Sequence, residues 1–398
     1  MKAYYRTIII GAGQFGISLS CKLQDLEHDH IVLEKDSIGS TWIKQRWDSF
    51  RLVTPKKMNT IEENDNYFSS HNEYLTAQEF QKYLIDKAIK RNLPIFENYE
   101  LKNAIKNRKG QFELRILHNG TELNLTCQNL VVASGSLNEK FIPEFNCKLP
   151  NEINQKHSSE YKNLNDIQIG RTIVVGSGQS GMQLAKEIST KSNVILLTSK
   201  VGTIPRSYLG QNIEEWFINL KSYEKTYSCS SIDERKATNP NVINESNNDI
   251  LNNDIELASS LKDLTTNELI LNTDLDSNLS FQKNYYNSTL LEINNKLKRK
   301  ESAELKTPRC PYLKNYITTL NLKENNVKNI IWATGFKAKF SFLELDVFDN
   351  MGQVIHVDGI SKIQGLYFLG LPWMRKRKSG IIYGVEEDSS FIAEKLSR

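Results

Sequence analysis

The chain has no pair of cysteines spaced C-x-x-C; its five cysteines, Cys21, Cys127, Cys147, Cys229 and Cys310, stand far apart. That excludes a zinc ribbon and an adjacent redox dithiol, and leaves small buried thiols as the plain reading. No apolar run approaches the roughly 18 residues that a membrane-spanning helix needs. Neither sign of charge dominates: 51 Lys+Arg against 47 Asp+Glu give a net +4. A chain organised around nucleic-acid phosphates carries a larger or more clustered basic excess. No signal or transit pattern fits, because the strand-like run Thr7-Ile8-Ile9-Ile10 starts almost at the N-terminus. The expectation is a soluble, cytoplasmic protein with neither nucleic acid nor membrane as partner. Glycine is missing altogether from residues 211 to 334, which marks that stretch as helix and peripheral connection.

Where glycine does occur it clusters, at 11–16, 176–181 and 365–384, and such clusters mark turns that approach a ligand. A length of 398 residues, with 39% apolar and 25% charged side chains, suits two or more globular cores. Ile8 to Ile10, a glycine turn, a helical stretch from Ile17 to Leu26 and Ile31-Val32-Leu33 make one βαβ unit. An amphipathic helix is expected between Thr76 and Leu93, with Thr76 as N-cap and Phe80, Tyr83, Leu84 and Ala88 on its buried stripe. Alternation at Phe112–Ile116 and Leu123–Leu125 predicts an antiparallel meander, and Leu130–Ala133 another buried strand. The opening unit then recurs: Thr172–Val175, a glycine turn, a helix through Gln183 to Ile188, and Asn193–Leu197. Residues 228–280 are rich in Asn, Ser and Asp, with seven asparagines between Asn239 and Asn253. Ile250, Leu251, Ile255, Leu257, Leu261, Leu264 and Leu269 predict helices of modest quality there, rather than a linker. A closing helix is expected from about Ser379 to Leu396.

Gly11-Ala12-Gly13-Gln14-Phe15-Gly16 lies between strand and helix, where a dinucleotide site needs it. The first glycine allows the tight turn, the second lets a pyrophosphate approach, and the third packs helix on strand. The helix N-terminus then faces the phosphates with unpaired N–H groups. Glu34, 18 residues past Gly16 with Lys35 beside it, suits the hydroxyls of an adenosine ribose. Gly176-Ser177-Gly178-Gln179-Ser180-Gly181 repeats this logic, but its second strand ends in Leu197-Thr198-Ser199-Lys200 without an acidic residue. Lys200, with Arg206 nearby, suits a 2′-phosphate, so NADPH is favoured over NADH; the alternative for Lys200 is a solvated strand end. Two dinucleotide sites in one chain imply electron transfer between a resident FAD and an exchanging nicotinamide nucleotide. No metal is needed. Disulfide reductases share this layout but require the adjacent cysteine pair that is absent here.

Gly39-Ser40-Thr41-Trp42 followed by Arg46-Trp47-Asp48-Ser49-Phe50-Arg51-Leu52-Val53-Thr54-Pro55 resembles the class B flavin-dependent monooxygenases, the flavin-containing, YUCCA-like and Baeyer–Villiger group. His157-Ser158-Ser159-Glu160-Tyr161-Lys162, Ile331-Trp332-Ala333-Thr334-Gly335-Phe336, and Gly365 to Gly384 with Gly370-Leu371-Pro372-Trp373 and Lys378-Ser379-Gly380 extend the likeness over nearly the whole chain. Within the group it is most similar to the bacterial putative flavoprotein branch.

The resemblance implies an α/β chain with two Rossmann-like domains, the FAD domain split by an inserted NADPH domain: 1–165, 166–325 and 326–398. It implies NADPH-driven formation of a C4a-(hydro)peroxyflavin that passes one oxygen atom from O2 to a small organic substrate at N, S or C, or beside a ketone. Trp42, Thr41, Thr334, Gly335, Ser379 and Gly380 would contact the flavin, and Trp42, Arg51 and His157 are the catalytic candidates. A core tryptophan, a surface ion pair and a structural histidine are the respective alternatives. The chain departs from the family at Asn151 and Ile153, where Phe and Gly precede the histidine, and has no counterpart of the active-site asparagine within Val53-Thr54-Pro55-Lys56. A flavin NADPH oxidase or reductase, or a flavin-bearing binding protein, are the other readings. The basic run Arg375-Lys376-Arg377-Lys378 is either a solvated face or a lure for an anionic substrate or cofactor phosphate. A homodimer is the default assembly.

Overall fold

The computed structural model describes residues 2–63, 65–68, 73–230, 241–244, 255–299 and 317–397. Cys310, Ile250 and Leu251 lie outside them. Strand β1 (Tyr4–Ile10) leads through the first glycine turn into helix α1 (Gln14–Asp25) and strand β2 (His30–Glu34). The β1 residues Ile8, Ile9 and Ile10 are buried, as an all-apolar strand must be when both sheet faces are covered. Short helix α2 (Ser40–Lys44) follows, then α3 (Ala77–Arg91), where Thr76 and Glu79 form the reciprocal capping box. Phe80, Tyr83, Leu84 and Ala88 are the stripe that α3 buries, as the spacing predicts.

Strands β3 (Ile95–Glu97), β4 (Tyr99–Lys106), β5 (Phe112–His118) and β6 (Thr121–Val132) complete the N-terminal part of the first sheet. β4, β5 and β6 form the antiparallel meander, and the end of β6 turns parallel to β1. The chain returns to this sheet late: Leu366–Phe368 pairs parallel with Leu130–Val132 of β6.

A second sheet is wholly parallel, in the order Ile255–Ala258, Val194–Leu197, Arg171–Val175, Val327–Trp332, Asn154–His157. Helix α4 (Gln179–Ser189) follows the second glycine turn. The sheet reaches beyond residues 166–325 on both sides.

Two expectations are corrected. Ile255, Leu257, Leu261, Leu264 and Leu269 lie on short strands, Ile255–Ala258, Leu261–Leu264 and Glu268–Leu271, not on helices. Each run is only four residues long, too short for a stable helix, and Glu268–Leu271 buries alternate side chains as a strand does. The closing helix starts at Val385, not near Ser379. A Cβ on Gly384 would stand 2.2 Å from the Lys378 carbonyl oxygen, and Gly380 has φ +84°, so the backbone from 379 to 384 is folded into a turn.

Candidate active site

The two glycine turns are built alike. Gly11 and Gly176 take φ +106° and +102°, and their N–H groups donate to Leu33 O and Leu197 O at 2.8 and 3.1 Å. Ala133 N–H donates to Ile10 O and Ala333 N–H to Val175 O, at 2.9 and 3.0 Å. A Cβ on Gly11 would meet Ala133 O, and one on Gly176 would meet Ala333 O, each at 2.8 Å. Gly13 and Gly178 cap α1 and α4, and nothing lies within 4 Å of where their Cβ atoms would be. Each helix thus begins with free backbone N–H groups above open space, the surroundings an anionic diphosphate needs.

The turns differ at the acidic position. Glu34 accepts from Ala12 N–H at 2.8 Å and Asp36 N–H at 2.9 Å, which fixes its carboxylate at the mouth of the first turn. Burial raises its carboxyl above the ordinary range despite those donors. In the second turn Thr198 takes the matching place, and its hydroxyl is spent on Ala258 O. Ser177 and Ser199 bond each other instead, Ser199 N–H donating to Ser177 Oγ at 2.9 Å. Lys200 is exposed beside them, its ammonium 5.0 Å from the Phe281 ring centre. Among the described residues no carboxylate takes the place that Glu34 holds in the first turn.

Most other candidates divide between contact and scaffold. Trp42 donates from Nε1 to Gln14 Oε1 at 3.2 Å, so α2 is tied to the start of α1, and its ring packs edge-on against Phe80. Phe15 is buried beneath Gly370, where a Cβ would lie 2.8 Å from its ring; it joins the C-terminal segment to the first turn. Thr41 and Lys35 face solvent, and Ser180 is half-buried in the first turn of α4. Gln179 clamps the backbone of Ile243, accepting its N–H at 2.8 Å and donating to its carbonyl at 3.4 Å. Arg206 is not turned toward Lys200: its Nη1 donates to Val53 O at 2.9 Å, and its guanidinium lies 4.2 Å from the Tyr74 ring centre. The first unit recruits it because Val53 offers a carbonyl and Tyr74 a ring face.

His157 is fully buried and bonded on both ring nitrogens. Ser159 N–H donates to Nδ1 at 3.2 Å, which leaves Nε2–H to donate to Gly335 O at 2.9 Å. Burial holds the imidazole below the ordinary histidine range. Its ring edge rests on Phe336, and Thr334 Oγ1 donates to Phe141 O, so the Ala-Thr-Gly-Phe segment is pinned from both sides. Arg51 stands apart from the other candidates, 55% exposed and 3.8 Å from Glu79. Solvent on that surface supplies what the guanidinium needs.

Ser379 Oγ accepts from Arg375 N–H and Lys376 N–H, each at 3.2 Å, and donates to buried Asp388. Asp388 is pushed up to about 6 by burial. The basic run is neutralised rather than solvated: Lys376 and Lys378 share Glu224 and Glu387, and Arg375 reaches Glu387 at 3.5 Å.

Three residues were missed from sequence. Arg46 lies over both Trp42 and Phe50, 5.3 and 5.2 Å from their ring centres; its spacing of four from Trp42 was the available signal. Lys162 caps the end of α2, donating to the carbonyls of Ile43, Lys44 and Arg46 at 3.0, 2.8 and 2.8 Å. Glu214 is 1% exposed, finds no partner for its carboxylate on any other described residue, and is pushed up to about 7 by burial. No sequence pattern announces either of the last two. Asn59, the asparagine nearest the stretch 53–56, is locked inside its own loop by Thr54 and Pro55. Among the described residues no cluster of three or more His, Cys, Asp or Glu suits a metal, and no helix is long and apolar enough to cross a membrane. Cys21 and Cys127 are buried, each thiol pushed up to about 12 by desolvation.

Comparisons with known proteins agree with this geometry. The family model described as pyridine nucleotide-disulphide oxidoreductase matches residues 8–297. The uncharacterized oxidoreductase CzcO of Bacillus subtilis is 30% identical over 99% of both chains. The probable indole-3-pyruvate monooxygenase YUCCA9 of Arabidopsis thaliana is 30% identical over 52% of this chain and 50% of its own. The fold of the flavin-containing monooxygenase from Stenotrophomonas maltophilia superposes with a TM-score of 0.67 at 17% identity, covering 100% of this chain and 99% of the other. The chain belongs to the pyridine nucleotide-disulphide oxidoreductase family.

Proposed function

We propose that the first glycine turn holds FAD, that the second holds NADPH, and that the chain is an NADPH-consuming monooxygenase acting on a small organic substrate. One observation carries this reading: the same turn is built twice, with open space at Gly13 and Gly178, and only the first has a carboxylate at its mouth. A Cβ would fill each cradle, so the residues present fit a dinucleotide diphosphate. The N–H groups at the start of α1 and α4 would bind the phosphates, and Glu34 would accept the ribose hydroxyls. Lys200 alone, without Arg206, would meet the 2′-phosphate. Bound flavin supplies hydride acceptance and oxygen activation. The residues Trp42, Phe50 and Phe80 would keep water from the reacting region, His157 would hold the Thr334–Gly335 segment, and the Ser379–Gly384 turn would line the flavin edge. We also propose that the units meet at the antiparallel pair Glu139–Lys140 and Phe336–Lys337, so that the inserted unit runs from about 141 to 335 rather than 166 to 325.

The burial of Asn59 in its own loop favours a second reading, an NADPH oxidase that releases peroxide. Aerobic NADPH oxidation with a panel of amines, sulfides, ketones and keto acids separates the two. A product heavier by one oxygen supports the monooxygenase; peroxide equal to NADPH consumed with every compound supports the oxidase.

A further inference from the structure

Residues 42–50 form a wedge between two cores. Trp42 and Phe50 pack on the core of the first sheet, while buried Trp47 packs with Tyr161 and Leu184 in a core of the second. Trp47 and Phe50 meet edge to face at 5.1 Å. Arg46 sits in this wedge, half-buried over the Trp42 and Phe50 rings. Its one hydrogen bond runs from Nη1 to Gln45 O at 2.9 Å, and among the described residues no carboxylate pairs with it. The Gln45 side-chain oxygen is likewise buried without a partner among the described residues. Among those residues the polar capacity of this stretch is not fully met.

The surroundings leave Arg46 unpaired among the described residues. Lys162, the neighbouring cation, spends its three N–H groups on carbonyl oxygens flanking Arg46, so it fixes the loop and adds positive charge without blocking the guanidinium. The acids that act on Lys162 are occupied elsewhere: Asp48 accepts from Asn163, and Asp166 from Lys156 and from the Lys162 backbone N–H. Burial alone lowers Arg46 to about 10, with no acid pulling the other way. A half-buried guanidinium with spare N–H donors gains from an anion that completes it. Its planar fork matches a carboxylate or phosphate edge.

We infer that Arg46 anchors an oxyanion-binding site at the junction of the two units, formed with the Trp42 and Phe50 rings and held in place by Lys162. This rests on the two-nucleotide reading above. The oxyanion is either a phosphate of the nicotinamide nucleotide or a carboxylate on the substrate.

The test is calorimetric binding to the full chain, with and without added FAD. The probes are NADP+ and phenylacetate, with phenylethanol as the uncharged control. R46M weakens at least one anion by roughly tenfold or more and leaves phenylethanol unchanged. R46K, which keeps the charge but not the fork, recovers part of the loss and guards against a folding defect. A loss confined to NADP+ identifies the phosphate; one confined to phenylacetate identifies the carboxylate. Wild-type affinity of R46M for both anions, or a wild type that binds neither, overturns the site. A wild type that binds phenylacetate through Arg46 but takes up no FAD overturns the two-nucleotide reading instead.

Discussion

Gly16 lies against Gly11 so closely that a Cβ built on it would stand 1.9 Å from the Gly11 carbonyl oxygen, and Gly181 has the same 1.9 Å relation to Gly176. That spacing sets how near each helix comes to its strand, and so where the helix N-terminus points. In Gly16→Ala the helix must shift, at a cost of about 1–3 kcal/mol, and FAD affinity falls. In Gly181→Ala nucleotide affinity falls while FAD is retained. Gly13→Ala is the contrast: φ is −83° and no atom lies within 4 Å, so the fold keeps its melting temperature and only FAD binding suffers. Flavin content and thermal melts of the three variants check this.

On the proposed reading, Lys200 sets the choice of nicotinamide nucleotide. With Thr198 and Ser199 engaged within the protein, Lys200→Glu puts a negative charge where the 2′-phosphate would lie. NADP+ affinity falls by roughly tenfold or more while NAD+ affinity changes little. Titration of both nucleotides against both proteins measures the difference.

Lys162 ties the loop after His157 to the helix that carries Trp42. Replacing it with Met leaves three carbonyls at the end of α2 without their donor and costs on the order of 2 kcal/mol. Urea unfolding gives the loss, and the circular dichroism of bound flavin reports whether Trp42 has moved. Lys162→Arg recovers part of both signals. An unaltered flavin spectrum in the Met variant would reduce Lys162 to a generic stabiliser.

The glycine turns and their apolar strands were legible because much of a βαβ unit is local: the Gly11–Leu33 bond and the Gly16–Gly11 approach fall within about thirty residues. The Thr76 cap and the α3 stripe were legible for the same reason. Arg51 and Arg46 show where local reading stops. Both follow Trp42, but only the residue four positions on shares its side of the turn, while Arg51 emerges at the surface beside Glu79. The Lys162 contacts span 116 to 119 residues, and no periodicity encodes such a separation. The short strands between 255 and 271 were hidden by composition: an Asn- and Ser-rich stretch looks like helix or linker until neighbouring strands bury its few leucines.

Glu214 makes folding stability fall with pH. Its carboxyl is held at about 7 in the folded chain, against 4.5 ordinarily, because burial disfavours the charged form. Arg206 eases that penalty, Glu215 adds to it, and Tyr223 lies close by. Since the folded value is the higher one, the folded chain keeps a proton that the unfolded chain loses. The contribution is whole below the unfolded value and is lost as pH rises through the window from about 4.5 to 7. The loss is on the order of 3 kcal/mol. Glu214→Gln removes this slope, so urea midpoints of variant and wild type diverge across the window in favour of the variant. Parallel curves would contradict the burial of an uncompensated carboxyl.

The central claim is that electrons pass from a nicotinamide nucleotide at the second glycine turn to a flavin at the first. The most direct measurement is rapid anaerobic mixing of the FAD-loaded chain with NADPH while the visible flavin absorbance is followed. The account predicts a yellow protein that bleaches at a rate saturating with NADPH. A chain that stays colourless after incubation with FAD, or one whose flavin remains oxidised, would contradict it.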